Sequence, residues 1–167
     1  MSKKTLSLTF ELSVDFELIG ICTSLEHHQL CYFINKYLNS ELGRLQEDIS
    51  LTIKDKSLIN FPTYADERPH ENHIWYLIKN KVIIEEQLEK TENQVEQLLF
   101  DIQETHTQTY HLIPDRQDVN YFLQLHPPIM EKDIAEIKQK INDIIEVKSV
   151  FSIDPNSTKK IDNLLIR

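Results

Sequence analysis

The sequence predicts an α+β fold in which an antiparallel or mixed sheet is covered by two or three helices, with a carboxy-terminal ββαβ unit. Apolar and polar residues alternate in several short segments, which is typical of strands with one buried face. Elsewhere apolar residues recur every three or four positions, as on an amphipathic helix. The chain has 167 residues, of which 40% are hydrophobic. We therefore expect one globular α+β domain over residues 1–167.

Two strands and a helix are predicted in the first part of the chain. Apolar residues alternate with threonine and serine over residues 6–14, whereas residues 16–22 are more continuously apolar and predict a buried strand. Thr23 and Glu26 have the spacing of a capping box, which satisfies unpaired amides at a helix start. The apolar residues that follow predict an amphipathic helix over residues 25–39.

The middle of the chain predicts a hairpin, a loop and a buried strand. Alternation in residues 49–53 and 58–61 indicates the hairpin. Residues 63–73 are polar and contain a proline, which indicates an exposed loop, and the apolar run at residues 74–78 indicates a strand. The Glu, Gln and Lys content of residues 82–104 favours a helix for at least their first half, although an apolar run near their end fits a strand equally well.

The last third supplies the ββαβ unit. Alternation in residues 110–112 and 119–125, with a polar stretch between them, predicts a hairpin. Two prolines then open a helix, because proline at the first helical positions loses no hydrogen bond. Isoleucines at intervals of three and four extend this helix over residues 129–146, and residues 147–153 alternate as a last strand.

Charge and glycine content exclude several classes of function. The chain carries 27 acidic and 18 basic side chains, a formal net charge of −9, which disfavours a nucleic-acid partner. Two glycines cannot form a Gly-rich phosphate loop or a dinucleotide fingerprint. Apolar runs stay short of the roughly 18 to 20 residues that span a bilayer. We therefore expect a cytoplasmic protein with no membrane contact.

The segment IPDRQDVNY, residues 113–121, resembles the signature of the IPExxxVDY family, small bacterial proteins of unassigned function. Asp115 stands where the signature has glutamate, and Asn120 where it has aspartate. The resemblance implies no activity, ligand or cofactor. If the family's aspartate were a catalytic acid or base, the amide of Asn120 would not transfer the proton. Three further segments resemble the family in the expected order: DFELIGI at 15–21, LIKNK at 77–81 and FSIDP at 151–155.

Two interpretations of the signature stay open. In the structural one, the proline ends a strand, Asp115 fixes the turn through backbone amides, and Tyr121 belongs to the core. In the functional one, Asp115, Asp118, Asn120 and Tyr121 form a binding surface.

His70 and His73 are the candidate metal ligands, since imidazoles beside carboxylates are ordinary ligands for zinc. Their three-residue spacing brings both rings together only on a helix, and the predicted loop does not supply one. A solvated loop is therefore favoured, with no metal and no cofactor expected.

The sequence favours a non-catalytic cytoplasmic adaptor or regulatory module that binds a protein partner or a second copy of itself. The acidic surface and the lack of a convergent catalytic motif support this expectation. The alternative is an RNA-associated or small-ligand-binding regulatory domain, because small α+β sheets can present aromatic residues such as Tyr110 or Phe122 for stacking.

Overall fold

The computed structural model describes residues 14–53, 57–87 and 105–166. Within them, a six-stranded antiparallel sheet has the strand order β10-β1-β9-β6-β5-β2, and two further pairs, β3-β4 and β7-β8, form separate ribbons. The strands are β1 Glu17–Thr23, β2 Gly43–Arg44, β3 Ile49–Thr52, β4 Leu58–Phe61, β5 Thr63–Arg68, β6 His73–Lys79, β7 Lys81–Gln87, β8 Thr105–His111, β9 Tyr121–His126 and β10 Val147–Ile153; the helices are α1 His27–Leu38 and α2 Glu131–Asn142.

Both faces of the large sheet are buried. On one face the sheet packs against α1 and α2, around Leu30, Ile34, Leu123, Ile137 and Ile141. On the other face it packs against β4, the segment that follows β8 and the carboxy-terminal turns, around Phe61, Leu112, Ile113, Phe122 and Leu164. The α+β class and the mostly antiparallel sheet are therefore confirmed.

The two predicted helices are confirmed with narrower bounds. Their stripes of leucine and isoleucine face the sheet, as the spacing requires. The capping box of α1, however, joins Glu26 to Gln29 rather than Thr23 to Glu26. Thr23 makes other hydrogen bonds. Its hydroxyl accepts from the amide of Leu25 and donates to the carbonyl oxygen of Glu146.

The loop predicted over residues 63–73 is wrong. Residues 63–68 form β5 and residue 73 begins β6, with only a short 3-10 turn between them, Pro69–Glu71. β5 was not predicted because several of its side chains are polar. Asp66 is buried and forms an ion pair with Arg68, so its burial leaves no apolar pattern in the sequence.

The predicted helix over residues 82–104 is wrong in its first part, where Lys81–Gln87 is strand β7. The adjacent β-branched residues Val82, Ile83 and Ile84 favour a strand, and β8 supplies the pairing partner. The rest of that segment lies outside the described residues, and so does nearly all of the strand predicted over residues 6–14.

The predicted hairpin between residues 110–112 and 119–125 does not form. β8 pairs with β7, whereas β9 lies between β1 and β6. Strand, strand, helix and strand follow one another along the chain, but the first strand belongs to a separate ribbon, so the ββαβ unit is not confirmed. The alternation located these strands but did not specify their neighbours, and β9 is in fact buried on both faces.

Neither helix in the described part of the chain has the length and apolar character needed to cross a bilayer.

Candidate functional site

The segment that resembles the family signature wraps around the side chain of Asn80, which is fully buried at the corner between β6 and β7. The Nδ2 atom of Asn80 donates to the carbonyl oxygens of Arg116 and Val119, both at 2.8 Å. The Oδ1 atom accepts from the amide of Ile113 at 2.9 Å, and the backbone amide donates to the carbonyl oxygen of Asn120 at 2.8 Å. Both ends of a buried amide are thus satisfied by backbone groups, which offsets the cost of burying it.

The other segments of the resemblance lie around the same loop. The amide of Asn120 donates to the carbonyl oxygen of Ile21 in β1 at 3.0 Å. The guanidinium carbon of Arg116 lies 5.2 Å from the ring centre of Phe151 in β10. Four segments that are distant in sequence therefore meet in one packed corner, and these contacts of the signature are structural.

Two of the four predicted binding residues, Asp115 and Asp118, are exposed on the signature loop. The carboxylate of Asp118 accepts from Arg116 at 3.3 Å. Asp115 lies in the 3-10 turn Pro114–Arg116. Neither aspartate lines the groove described below.

The other two, Asn120 and Tyr121, hold the chain between β1 and α1. The Oδ1 atom of Asn120 accepts from the amide of Thr23 at 2.9 Å. Tyr121 is only 2% exposed, and its hydroxyl donates to the carbonyl oxygen of Leu25 at 2.8 Å. Burial raises the pKa of Tyr121, so the phenol stays protonated and remains a donor at neutral pH. These two residues form part of the wall of a groove.

The groove has a volume of about 510 Å³ and lies where β1 ends, α1 begins and β6 turns into β7. Besides Asn120 and Tyr121, its polar residues are Thr23, Ser24, Glu26, His27, Asn60, Lys79 and Lys81. Its apolar side chains include Pro62, Val82 and Ile83. An open cleft with both kinds of lining can bind a group that is partly polar and partly apolar.

Two lysines, one histidine and one carboxylate are the ionisable groups described in the polar part of the groove besides Tyr121. The Nζ atom of Lys79 lies 3.2 Å from Oε2 of Glu26, whose side chain is 62% exposed. The Nδ1 atom of His27 lies 2.7 Å from the hydroxyl oxygen of Tyr64. Burial, and then the charges of Lys79 and Arg44, lower the pKa of His27, so this imidazole is neutral at pH 7.

The apolar part of the groove is formed by the start of β7. Val82 and Ile84 of this strand pack on the buried core. Successive side chains of a strand alternate between its faces, so Lys81 and Ile83 lie on the opposite face. Ile83 is 57% exposed, and a large β-branched side chain is thus presented to solvent beside a lysine.

Comparisons with models of protein families, with curated proteins and with solved structures find no match for this chain. The resemblance to the IPExxxVDY family therefore stays a prediction.

The structure places the two candidate metal ligands in different surroundings. His73 lies in β6, with Nε2 3.3 Å from the buried Oδ2 of Asp66, and its ring stacks on Trp75 at 4.5 Å. His70 is exposed in the 3-10 turn. Residues 14–53, 57–87 and 105–166 contain no group of three or more His, Cys, Asp and Glu side chains that is able to hold a metal ion.

Asp66 is instead the centre of an ion cluster. Arg68 donates to both of its carboxylate oxygens, at 2.9 and 2.6 Å, and the amide of Glu41 donates at 2.9 Å. Burial alone raises the pKa of Asp66, but these hydrogen bonds outweigh it and the pKa is lowered. Because its oxygens are occupied by these donors, the cluster is a structural element that ties the segment before β2 to β5.

The aromatic residues predicted as stacking surfaces have other roles. Phe122 is fully buried in the core opposite the helices. Tyr110 packs against the same core.

The basic residues of the groove were not predicted from the sequence, because the two lysines of LIKNK lie on either side of the corner between β6 and β7. Only the fold shows that Lys79, Lys81 and His27 line one cleft. The available signal in the sequence was the pair of lysines, Lys79 and Lys81, on either side of Asn80.

Proposed function

We propose that the chain is a non-catalytic cytoplasmic protein-binding module, an adaptor or regulatory protein that contacts its partner through the groove. The observation that carries this proposal is the exposure of Ile83 beside Lys81 at the edge of an open cleft. Apolar surface rimmed by polar groups is typical of protein contact sites, and Pro62, Val82 and Ile83 line this cleft together. The size and shape of the cleft suit a short segment of a partner chain.

The contacts that the polar side chains of the groove already make support a binding role over a catalytic one. Lys79 forms an ion pair with Glu26, and the Nδ1 atom of His27 is hydrogen-bonded to the hydroxyl group of Tyr64. Asn120 accepts a backbone hydrogen bond, so its oxygen is used structurally. Each of these groups already has a contact that positions the groove walls.

Site-specific photo-crosslinking tests the proposal. Ile83 is replaced by p-benzoylphenylalanine in the full-length chain, which is expressed and irradiated in its native cells. The matched control carries the same residue at Ile145, which is 97% exposed in the turn between α2 and β10 and does not line the groove. We expect a discrete protein adduct from position 83 and none at position 145. Equal labelling at both positions, or no adduct at position 83, would refute the proposal.

The alternative class, a small-ligand-binding regulatory domain, is favoured by one observation, the volume of the groove. Polar and apolar groups lie together around about 510 Å³, which falls in the range of small-molecule sites. An RNA-associated role has less support, because Phe122 is buried.

A further inference from the structure

We propose that the groove binds an acidic segment of a partner protein and that Glu26 competes with this segment for Lys79. This inference rests on the proposed function, since it names the chemistry that the groove accepts. It follows from the charges of the lining residues, the position of Glu26 and the apolar wall at Ile83.

The groove differs in charge from the rest of the molecule. The chain has a formal net charge of −9, yet the lining side chains include Lys79 and Lys81 and a single carboxylate, Glu26. Complementary charge between a patch and its partner gives selectivity and speeds association. The groove therefore offers a cationic contact to an anionic group on a chain of net negative charge.

Glu26 shows how a carboxylate is held at one end of the groove. Its Oε2 atom lies 3.2 Å from Nζ of Lys79, and its side chain also accepts from the backbone amide of Gln29. The side chain is 62% exposed, and exposed ion pairs contribute little to stability. An incoming carboxylate can therefore take over the contact with Lys79.

Lys81 has no such competitor among the lining residues, so it is the first contact for an incoming carboxylate. Ile83, two residues further on the same strand, offers apolar contact. A ligand that uses both places an acidic residue beside an aliphatic one. This pattern describes a short acidic peptide segment.

The overall charge distinguishes such a segment from a polyanion. Charges interact over about 8 to 10 Å at physiological ionic strength. A short segment with no more than four carboxylates lies mainly in the field of the two lysines. A long RNA extends beyond the groove over a chain whose formal net charge is −9, which disfavours its binding.

The test is an NMR titration of the isotope-labelled full-length chain with the peptide Ac-DEIDEI-amide. We expect saturable shifts at the amides of Ser24, Lys81 and Ile83. The variant Lys81→Met should weaken binding at least fivefold, whereas Lys132→Met, which removes an exposed charge on α2, should leave it unchanged. Glu26→Gln keeps an oxygen for the Gln29 amide and should tighten binding at least twofold. Circular dichroism of each variant establishes that it is folded.

Three results would overturn the inference: no saturable shift with the acidic peptide, equal binding by Lys81→Met, or equal binding of a decauridylate RNA. The crosslinking at position 83 separates these results from a failure of the proposed function. An adduct that persists with the Lys81→Met change shows a protein-binding groove that does not recognise acidic segments. Absence of the adduct in the otherwise unchanged chain refutes the groove as a protein contact.

Discussion

The side-chain nitrogen of Asn80 donates to the carbonyl oxygen of Val119 over 2.8 Å, inside a site that is closed to solvent. Val119 itself is fully buried in the core opposite the helices. One side chain thus fixes a backbone turn that lies outside the strands and has a backbone bond to β1, from the amide of Asn120 to the carbonyl oxygen of Ile21. The groove depends on this contact, because Lys79 and Lys81 flank Asn80 and Asn120 follows Val119.

Replacing Asn80 with aspartate tests this dependence. Aspartate has the same shape and keeps the bond from the amide of Ile113, but it cannot donate to two carbonyl oxygens and it places a buried negative charge against them. We expect Asn80→Asp to lower the free energy of unfolding by about 3 to 5 kcal/mol at pH 7 in urea denaturation. The loss should be smaller at pH 5, because a buried carboxyl with a raised pKa becomes protonated and regains one donor.

The matched control is Asn60→Asp. Asn60 is exposed on β4, and its Oδ1 atom accepts from the hydroxyl of Ser50 at 2.7 Å, a bond that a carboxylate retains. Its unfolding free energy should stay within about 0.5 kcal/mol of the parent chain. If both substitutions have the same effect, Asn80 is not the structural centre of the signature loop.

The fold was predictable from the sequence where burial is apolar and periodic. The leucine and isoleucine stripes of α1 and α2 located both helices, and alternation located β9 and β10. The sheet order was not predictable, because alternation at Val119–Leu125 is satisfied equally by a partner in β8 or by β1 and β6. β5 was missed because Asp66 is buried through hydrogen bonds, which leave no apolar pattern.

The candidate site was predictable only in part. Asn120 and Tyr121 were identified through the signature, and both line the groove. Lys79, Lys81 and His27 come from three different elements, so no local pattern unites them. The role of Asn80 was not predictable either, since an asparagine between two lysines at the end of a strand is typical of a turn.

Asn120 provides a second prediction, because the signature of the family has aspartate at this position. The structure uses only the oxygen of the side chain, as an acceptor for the amide of Thr23. We expect Asn120→Asp to keep the parent stability, and Asn120→Ala to lose about 1 kcal/mol in urea denaturation. Equal losses for the two variants would show that the accepted hydrogen bond is not what this position supplies.

The two glycines offer a third prediction, because they have opposite surroundings. A Cβ atom at Gly20 would lie 2.8 Å from Cδ1 of Ile153 and 3.1 Å from Cγ2 of Val119, whereas one at Gly43 would meet nothing within 4 Å. We expect Gly20→Ala to destabilise the chain by about 1 to 3 kcal/mol through overpacking. Gly43→Ala should be neutral or slightly stabilising, since its backbone has no positive φ. Thermal denaturation of both variants measures the difference, and similar midpoints would contradict the close approach at Gly20.

The stability of the chain should fall as the pH is lowered from 7.5 to 5.5. Burial is the main cause that lowers the pKa of His27, His111 and His126 below the ordinary value of 6.5. Well above that value these histidines are neutral in both the folded and the unfolded chain. As the pH drops below it, the unfolded chain binds more protons than the folded chain does, so the free energy of unfolding decreases.

His126 permits a direct test of that slope. Its ring lies 5.1 Å from that of Phe16 and 5.9 Å from that of Tyr76, and its buried Nε2 atom has no hydrogen-bond partner among the residues that the structure describes. His126→Phe keeps these ring contacts and removes the titrating group, so urea denaturation across the same pH interval should give a shallower decline than in the parent chain. His70→Phe, at an exposed position of the 3-10 turn Pro69–Glu71, controls for the loss of an imidazole. A decline as steep in His126→Phe as in the parent chain would assign the acid sensitivity to other groups, because a phenylalanine at this position binds no proton in either state.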